Sequence, residues 1–329
     1  MKQQRILVTG GAGFIGSALV NALNELGEDE IIIADQLGQD DKWKNLVPLR
    51  YADYIDAGDL IEQVRQDRMR LSAFSKVFHL GACSATTERD ASYLMENNYA
   101  YTKDLANAAI RADARFVYAS SAATYGDGSL GMDDTLEDLS KLRPLNMYGY
   151  SKHLFDCYAQ RNGLLSQIVG LKYFNVFGPN EEHKGDMRSL VSKAYQQILD
   201  TGTIKLFKSE HPEYRDGEQK RDFLYVKDAV AMTIHLSENR EASGLFNLGS
   251  GQANTWLALA NAIFEALGRE PDIRFIDLPE VLRGKYQYYT CADITKLVKS
   301  GFRRRVPSLE TSVKDYVQNY LVPGKCLGE

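Results

Sequence analysis

Gly10, Gly13 and Gly16 stand three apart in Ile6-Leu-Val-Thr-Gly-Gly-Ala-Gly-Phe-Ile-Gly16. This run most constrains what the chain can fold into. An apolar stretch, Arg5–Thr9, leads into the glycines, and a helix-patterned stretch, Gly16–Leu26, leads out. Strand, glycine turn and helix in that order form the first unit of a parallel α/β sheet. The glycines permit a tight turn and let backbone N–H groups approach a pyrophosphate, whose charge the helix N-terminus favours. The spacing is GxxGxxG and not GxGxxG, so the context carries the reading as much as the glycines do.

The alternation continues. Glu30–Ala34, Lys76–Leu80, Arg115–Ala119 and Ser166–Tyr173 read as strands, and Asn97–Ala112 and Ser151–Arg161 as helices. Strands separated by helices imply parallel pairing with right-handed crossovers, a Rossmann-type doubly wound α/β sheet. After Gly178-Pro179 the pattern loosens. Ser209–Lys220 reads as an exposed polar loop. Asp222–Val226 and Leu245–Leu248 read as strands flanking a helix at Asp228–Glu238, and from Gly251 the chain reads as mostly helical, with a strand near Ile273–Ile276. The expected division is a dinucleotide-binding domain over 1–176, to which 222–249 returns, and a smaller discontinuous substrate domain from 177–221 and 250–329.

Composition excludes several classes. The 329 residues allow a large core, and 44% hydrophobic with 25% charged residues is ordinary for a soluble globular chain. A net charge of −5 argues against nucleic acid as a partner. No stretch approaches the roughly 20 apolar residues of a membrane span, and the strand-like entry from Met1 argues against a signal peptide. The scattered cysteines, Cys83, Cys157, Cys291 and Cys326, suit reduced thiols and form no metal-ligand spacing. A cytoplasmic enzyme without a metal is expected.

Two further features carry chemistry. Asp35 ends the second strand, where a carboxylate accepts from adenosine ribose hydroxyls and favours NAD; Lys42 and Lys44 lie just beyond and suit a 2′-phosphate. Position alone leaves both cofactors open. Tyr148 and Lys152 form YxxxK on one helix face. A nearby ammonium lowers a phenol's pKa, which suits Tyr148 to exchange the proton of a carbinol during hydride transfer. Ser121, at the end of a strand, is placed to hydrogen-bond the reacting oxygen. YxxxK is a common pattern in a chain with 19 tyrosines; glycine loop, serine strand and YxxxK in this order are far more specific.

TGGAGFIG, SSAATYG and YGYSK resemble the extended short-chain dehydrogenase/reductase superfamily from about residue 5 to beyond residue 290. GACSATTE (81–88), ENNY (96–99), KYFNVFGPNEEHKGDM (172–187), RDFLYV (221–226), FNLGSG (246–251) and RGKYQYYTCAD (283–293) resemble, within it, the ADP-L-glycero-D-manno-heptose 6-epimerases. The resemblance implies inversion of C6″ of an ADP-heptose by transient oxidation to a ketone, with bound NADP, for the lipopolysaccharide inner core. It also implies a homo-oligomer, a pentamer among the candidates. By position, Tyr148 becomes one acid/base and Lys184 the second, Ser121 supports the transferring oxygen, and Lys152 holds the cofactor. Cofactor positions fall on Gly10, Gly13, Phe14, Ile15, Gly16, Asp35, Gln36, Lys42, Leu80, Gly81, Ala82, Cys83, Ser84, Asn97 and Val176. Sugar-nucleotide positions fall on Asn175, Asp186, Lys193, Phe207, Arg221 and Tyr286. Without the resemblance, Lys184 among Glu181, Glu182 and Asp186 reads as a solvated loop charge. Departures are Gln36 where Asn is frequent, Asp186 where Ser is common, Ala57 where a cofactor-facing Lys is often found, and extra residues between Phe207 and Arg221.

Rival readings are a 4-epimerase or a 4,6-dehydratase on another nucleotide sugar, and a non-catalytic dinucleotide-binding regulator. Dehydratases of the group carry Asp-Glu after the serine strand, where this chain has Ala122-Ala123-Thr124. A regulator has no need to keep YxxxK.

Overall fold

The computed structural model describes residues 5–280 and 286–329. Residues 1–4 of the N-terminal run and residues 283–285 of the RGKYQYYTCAD motif lie outside the described residues. The chain runs β1 (Arg5–Thr9), α1 (Phe14–Glu25), β2 (Ile31–Asp35), β3 (Asp53–Asp56), α2 (Ala57–Arg65), β4 (Phe74–His79), α3 (Ala91–Leu94), α4 (Tyr101–Arg111), β5 (Arg115–Ser121), α5 (Met147–Arg161) and β6 (Val169–Tyr173). It continues through β7 (Asn175–Phe177), α6 (Leu190–Thr201), β8 (Ile204–Phe207), β9 (Lys220–Tyr225), α7 (Val226–Glu238), β10 (Gly244–Leu248), β11 (Ala253–Thr255), α8 (Trp256–Ala266), β12 (Ile273–Ile276), α9 (Thr295–Lys299) and α10 (Leu309–Tyr316).

Uninterrupted apolar strands require cover on both faces. All five residues of β2 are buried. Ile6 and Val8 of β1 and Ile31 and Ile33 of β2 enter one apolar cluster with Leu19 of α1 and Val230 of α7. Leu7, Ile32 and Ala34 enter the other, with Leu60 of α2, Leu105 of α4 and Phe155 of α5. Alternate residues thus serve opposite faces, and helices close both.

Seven parallel strands form the main sheet in the order β3-β2-β1-β4-β5-β6-β10. Strand order reverses between β1 and β4, and ligands of such sheets sit outside the carboxyl ends at that reversal. A three-stranded sheet joins β7 and β9 in parallel, with β11 antiparallel to β9, and β8 pairs with β12.

The segment 222–249 divides. β10 pairs with β6, and α7 packs against α1, β5 and β6, whereas β9 belongs with β7 and β11. The loop after β8 is more enclosed than its polarity suggests: Gly217 and Gln219 are buried, and His211 and Tyr214 pack against the Tyr288 ring. Helix α5 starts four residues before the sequence pattern shows it, because Asn146 Oδ1 accepts the Gly149 N–H at 2.7 Å. Tyr148 therefore sits in its first turn.

Candidate active site

The glycine loop meets the end of β4 across the strand-order reversal. Gly10 has φ +71°, and a Cβ there would lie 2.5 Å from Gly81 N; a Cβ on Gly16 would lie 1.9 Å from Gly10 O. Only glycines let the two backbones and the start of α1 close up this far. Gly13 caps α1 without a side-chain hydrogen bond, so first-turn N–H groups are left for an anion. These features fit the pyrophosphate of a dinucleotide. Asp35 fits its adenosine end: Oδ2 accepts Ala12 N–H at 2.9 Å, and Oδ1 pairs with Lys42 Nζ at 3.1 Å.

A cleft of about 570 Å³ runs from this loop past the end of β5. Gly10, Gly13, Phe14, Ile15, Gly16, Asp35, Lys42, Leu80, Gly81, Ala82, Cys83, Ser84, Ser121, Tyr148, Lys152, Asn175, Val176 and Lys184 all line it. Gln36 and Asn97 line a smaller recess beside Asp35, which Ala57 also reaches. A second cleft, about 510 Å³, shares Asn175, Val176 and Met187 with the first and adds Lys193, Phe207, Tyr286 and Trp256.

Two expected residues stand apart from these walls. The exposed Asp186 lines neither cleft and offers its carbonyl to Lys193 Nζ at 3.2 Å. Arg221 is buried behind the second cleft, its guanidinium 5.1 Å from the Tyr286 ring and 5.7 Å from that of Trp256.

The electrostatics of the first cleft depart from the sequence expectation at Tyr148. Burial pushes this phenol above its ordinary value, and a hydrogen bond from Ser121 opposes the rise. Lys152, expected to lower it, is held at the end of β5. Its Nζ donates to Ala119 O at 2.9 Å, and burial brings its own pKa down to about 8 against the opposing charges of Asp156 and Cys83. Tyr150, two residues on, is an exposed residue. Lys184 is half-buried, its ammonium 5.2 Å from the centre of the Phe14 ring. Burial lowers its pKa, while Glu181 holds it up. Tyr148 thus lies on the Ser121 side of the cleft, and Lys184 on the Phe14 side.

Comparison with known proteins decides the family. The NAD dependent epimerase/dehydratase family matches residues 6–249. The chain belongs to that family. Its similarity to individual family members runs nearly the full length. It is 52% identical over 315 residues to the ADP-L-glycero-D-manno-heptose-6-epimerase of Nitratidesulfovibrio vulgaris strain DP4, covering 96% of this chain and 97% of that one. It is 47% identical over 327 residues to the protein of the same name from Fusobacterium nucleatum, covering 96% and 98%. Among solved structures, it superimposes on the Helicobacter pylori ADP-L-glycero-D-manno-heptose-6-epimerase with a TM-score of 0.79 at 28% identity, over 97% of this chain and 96% of that one. A UDP-N-acetylglucosamine 4-epimerase from Methanobrevibacter ruminantium M1 gives 0.81 at 26%, over 98% and 100%. The fold is therefore that of the epimerases.

Trp256, which lines the second cleft, carries no sequence signal, and His183 and Met187, which line the first, lie within the 172–187 motif without a role assigned from sequence. Asn98, not its neighbour Asn97, braces the 81–88 segment: it accepts Cys83 N–H and donates to Cys83 O, both at 2.9 Å. Asn45 ties the glycine loop to the 178–189 segment through Ala12 O at 3.0 Å and Asn180 O at 3.1 Å.

Proposed function

We propose that the protein inverts C6″ of ADP-D-glycero-D-manno-heptose to give the L-glycero epimer, the heptose precursor of the lipopolysaccharide core. The observation that carries the reading is the pair of acid/base groups, Tyr148 beside Ser121 and Lys184 over Phe14, lining one cleft from separate elements. Relatives 43–52% identical over nearly their whole length bear the epimerase name, which supports it.

The dinucleotide, when bound, supplies a hydride acceptor that later returns the hydride. The chain's own groups handle the protons and the geometry. Ser121 hydrogen-bonds Tyr148 and the substrate oxygen. In its phenolate form, Tyr148 takes the carbinol proton as C6″ becomes a planar ketone. The ketone re-presents its other face, which moves the oxygen to a new place, and Lys184 serves that second placement. Lys152 would hold the nicotinamide ribose of the bound dinucleotide. Asn175, Lys193, Phe207 and Tyr286 line the path to the second cleft, where the nucleotide sits, with Arg221 behind their rings.

NADP is the cofactor of this reading. The Lys42 ammonium neutralises Asp35, whose charge would otherwise repel a 2′-phosphate, and offers that phosphate a partner. Self-association into a homo-oligomer belongs to the same reading, supported by the resemblance in sequence.

The test is direct. Purified protein, given ADP-D-glycero-D-manno-heptose and no added cofactor, converts it to the L-glycero epimer, and on denaturation releases NADP in stoichiometric amount by mass analysis. Activity in protein that releases no dinucleotide would remove the mechanism.

A further inference from the structure

The segment 178–189, which carries Lys184, is built around a carboxylate that the chemistry above does not use. Glu181 is fully buried. Its Oε2 accepts the Ser189 N–H at 2.5 Å, and its Oε1 accepts Ser189 Oγ at 2.6 Å, the Gly178 N–H at 3.4 Å and the Tyr316 hydroxyl at 3.1 Å. Gly178 opens the segment and Ser189 ends it as the cap of α6, so both ends close on one side chain. Tyr316 brings the last helix, α10, onto the same point. Lys184 donates its backbone N–H to Glu181 O at 3.0 Å, one turn away.

Mechanical anchoring alone does not call for a charge. Asn180 does that work next door with a neutral amide: Nδ2 donates to Ser17 Oγ at 3.0 Å, and Oδ1 accepts the Leu327 N–H at 2.9 Å. A carboxylate out of water is costly to keep, and its donors offset that cost without requiring that the residue be acidic. Burial raises the Glu181 pKa, and its Ser189 and Gly178 donors together with Lys184 oppose the rise. What the ionised carboxylate adds is a field at Lys184. The groups facing Lys184 are Glu181 and His183 on its own segment, Lys193 from α6 and the Phe14 ring from α1; burial lowers the His183 pKa, with Lys184 adding to the effect. Behind Glu181 stands Tyr316, whose hydroxyl also reaches Glu182 Oε1 at 3.2 Å. Glu181 alone among these favours the ammonium by opposite charge; Lys193 opposes it.

We propose that Glu181 is a positioning residue for the second acid/base, closing the 178–189 segment on itself and holding the Lys184 ammonium over Phe14 in the cleft. The proposal rests on the reading of Lys184 given above. It extends that reading to a group that touches neither substrate nor cofactor.

The test compares Glu181→Gln, Tyr316→Phe and Lys184→Met with the parent holoenzyme on the heptose substrate. Glu181→Gln keeps its dinucleotide, loses about tenfold or more in kcat, and holds KM within about threefold. The limb of its pH profile that reports Lys184 moves to lower pH, because the charge that held the ammonium is gone. Should Glu181→Gln fail to fold, Tyr316→Phe keeps the charge and removes one donor; it retains its dinucleotide and KM while kcat falls severalfold. Wild-type kcat in Tyr316→Phe then overturns the proposal. If Lys184→Met is inactive while Glu181→Gln matches the parent in kcat and pH profile, Glu181 has no positioning role and the reading of Lys184 stands. If Lys184→Met epimerises at the parent rate, that reading falls, and this proposal with it.

Discussion

At Gly16 there is no room for a side chain. A Cβ would lie 1.9 Å from Gly10 O, a backbone atom that cannot swing aside. Gly16→Ala should therefore push the loop off the start of α1, and the variant is expected to purify without its dinucleotide, read by absorbance after denaturation; full retention would contradict the role given to the loop. The two acid/base groups make a second residue-scale prediction. Tyr148→Phe and Lys184→Met should each slow epimerisation by about 10²–10⁴-fold, with the cofactor retained, since neither change alters a glycine of the loop. With a C6″ aldehyde analogue, disproportionation to acid and alcohol needs one orientation only, so one of the two variants should keep much of that activity. Equal loss in both would show that they do not serve separate faces. The glycines and YxxxK are legible in sequence because their chemistry depends on spacing within one turn or one helix. Lys184 is not, because its neighbours in sequence are acids. Folding buries Glu181 and leaves Asp186 outside, which turns a solvated charge cluster into a half-buried lysine beside one carboxylate. Trp256 and Asn45 gain their roles wholly from tertiary contact.

Between elements, the end of β4 is held by a chain of hydrogen bonds with one consistent direction. The Thr102 hydroxyl donates to Asn98 O at 2.7 Å, so His79 Nε2–H donates to Thr102 Oγ1 at 2.8 Å. Neutral imidazole then accepts at Nδ1 from the Thr9 hydroxyl at 2.7 Å, and Thr9 Oγ1 accepts the Gly81 N–H at 3.2 Å. With neutral His79 the chain joins β1, β4 and the helix leading into α4 in one direction. Burial, with the Lys152 charge second, brings His79 down from its ordinary 6.5 to about 3. Between these values the unfolded chain binds the extra proton, so stability rises with pH there; the contribution of neutral His79 is complete above 6.5 and is lost as pH falls toward 3. The slope is at most about 1.4 kcal/mol per pH unit. His79→Gln should flatten the dependence of the unfolding free energy on pH between 4 and 6, read from denaturant titrations, by up to that amount, and an unchanged slope would mean that His79 titrates elsewhere. Six strands of the main sheet, β1, β2, β4, β5, β6 and β10, are legible because each is a mostly buried run of five or more residues, whereas β3, four residues exposed at both ends, escapes the sequence reading together with α2. β7 and β11, at three residues each, are too short for any period to show. The pairing of β9 with them, and not with the main sheet, depends on contacts between distant segments.

At the scale of the whole molecule, fold and substrate separate. The superposition on a UDP-N-acetylglucosamine 4-epimerase, TM-score 0.81, is as close as that on a heptose epimerase, 0.79. The architecture therefore cannot choose the sugar nucleotide; the lining of the clefts must. The two clefts share Asn175, Val176 and Met187, so a substrate can place its reacting carbon near Tyr148 while its nucleotide end occupies the far cleft among Phe207, Trp256 and Tyr286. Discrimination then acts at both ends at once. The near end must present a carbinol outside the sugar ring to Ser121 and Tyr148, and the far end must accept adenine instead of uracil. A site that hydrogen-bonds particular polar groups penalises a ligand that leaves those groups unpaired. The kcat/KM for ADP-D-glycero-D-manno-heptose is accordingly expected to exceed that for UDP-glucose by about 10²-fold or more. Phe207→Ala, altered only in the far cleft, should raise KM for the heptose substrate with little change in kcat, since it removes binding common to ground and transition states. Comparable conversion of UDP-glucose to UDP-galactose by the unaltered protein would assign it to the 4-epimerases, with the same fold, the same Tyr148 and a different sugar in the cleft.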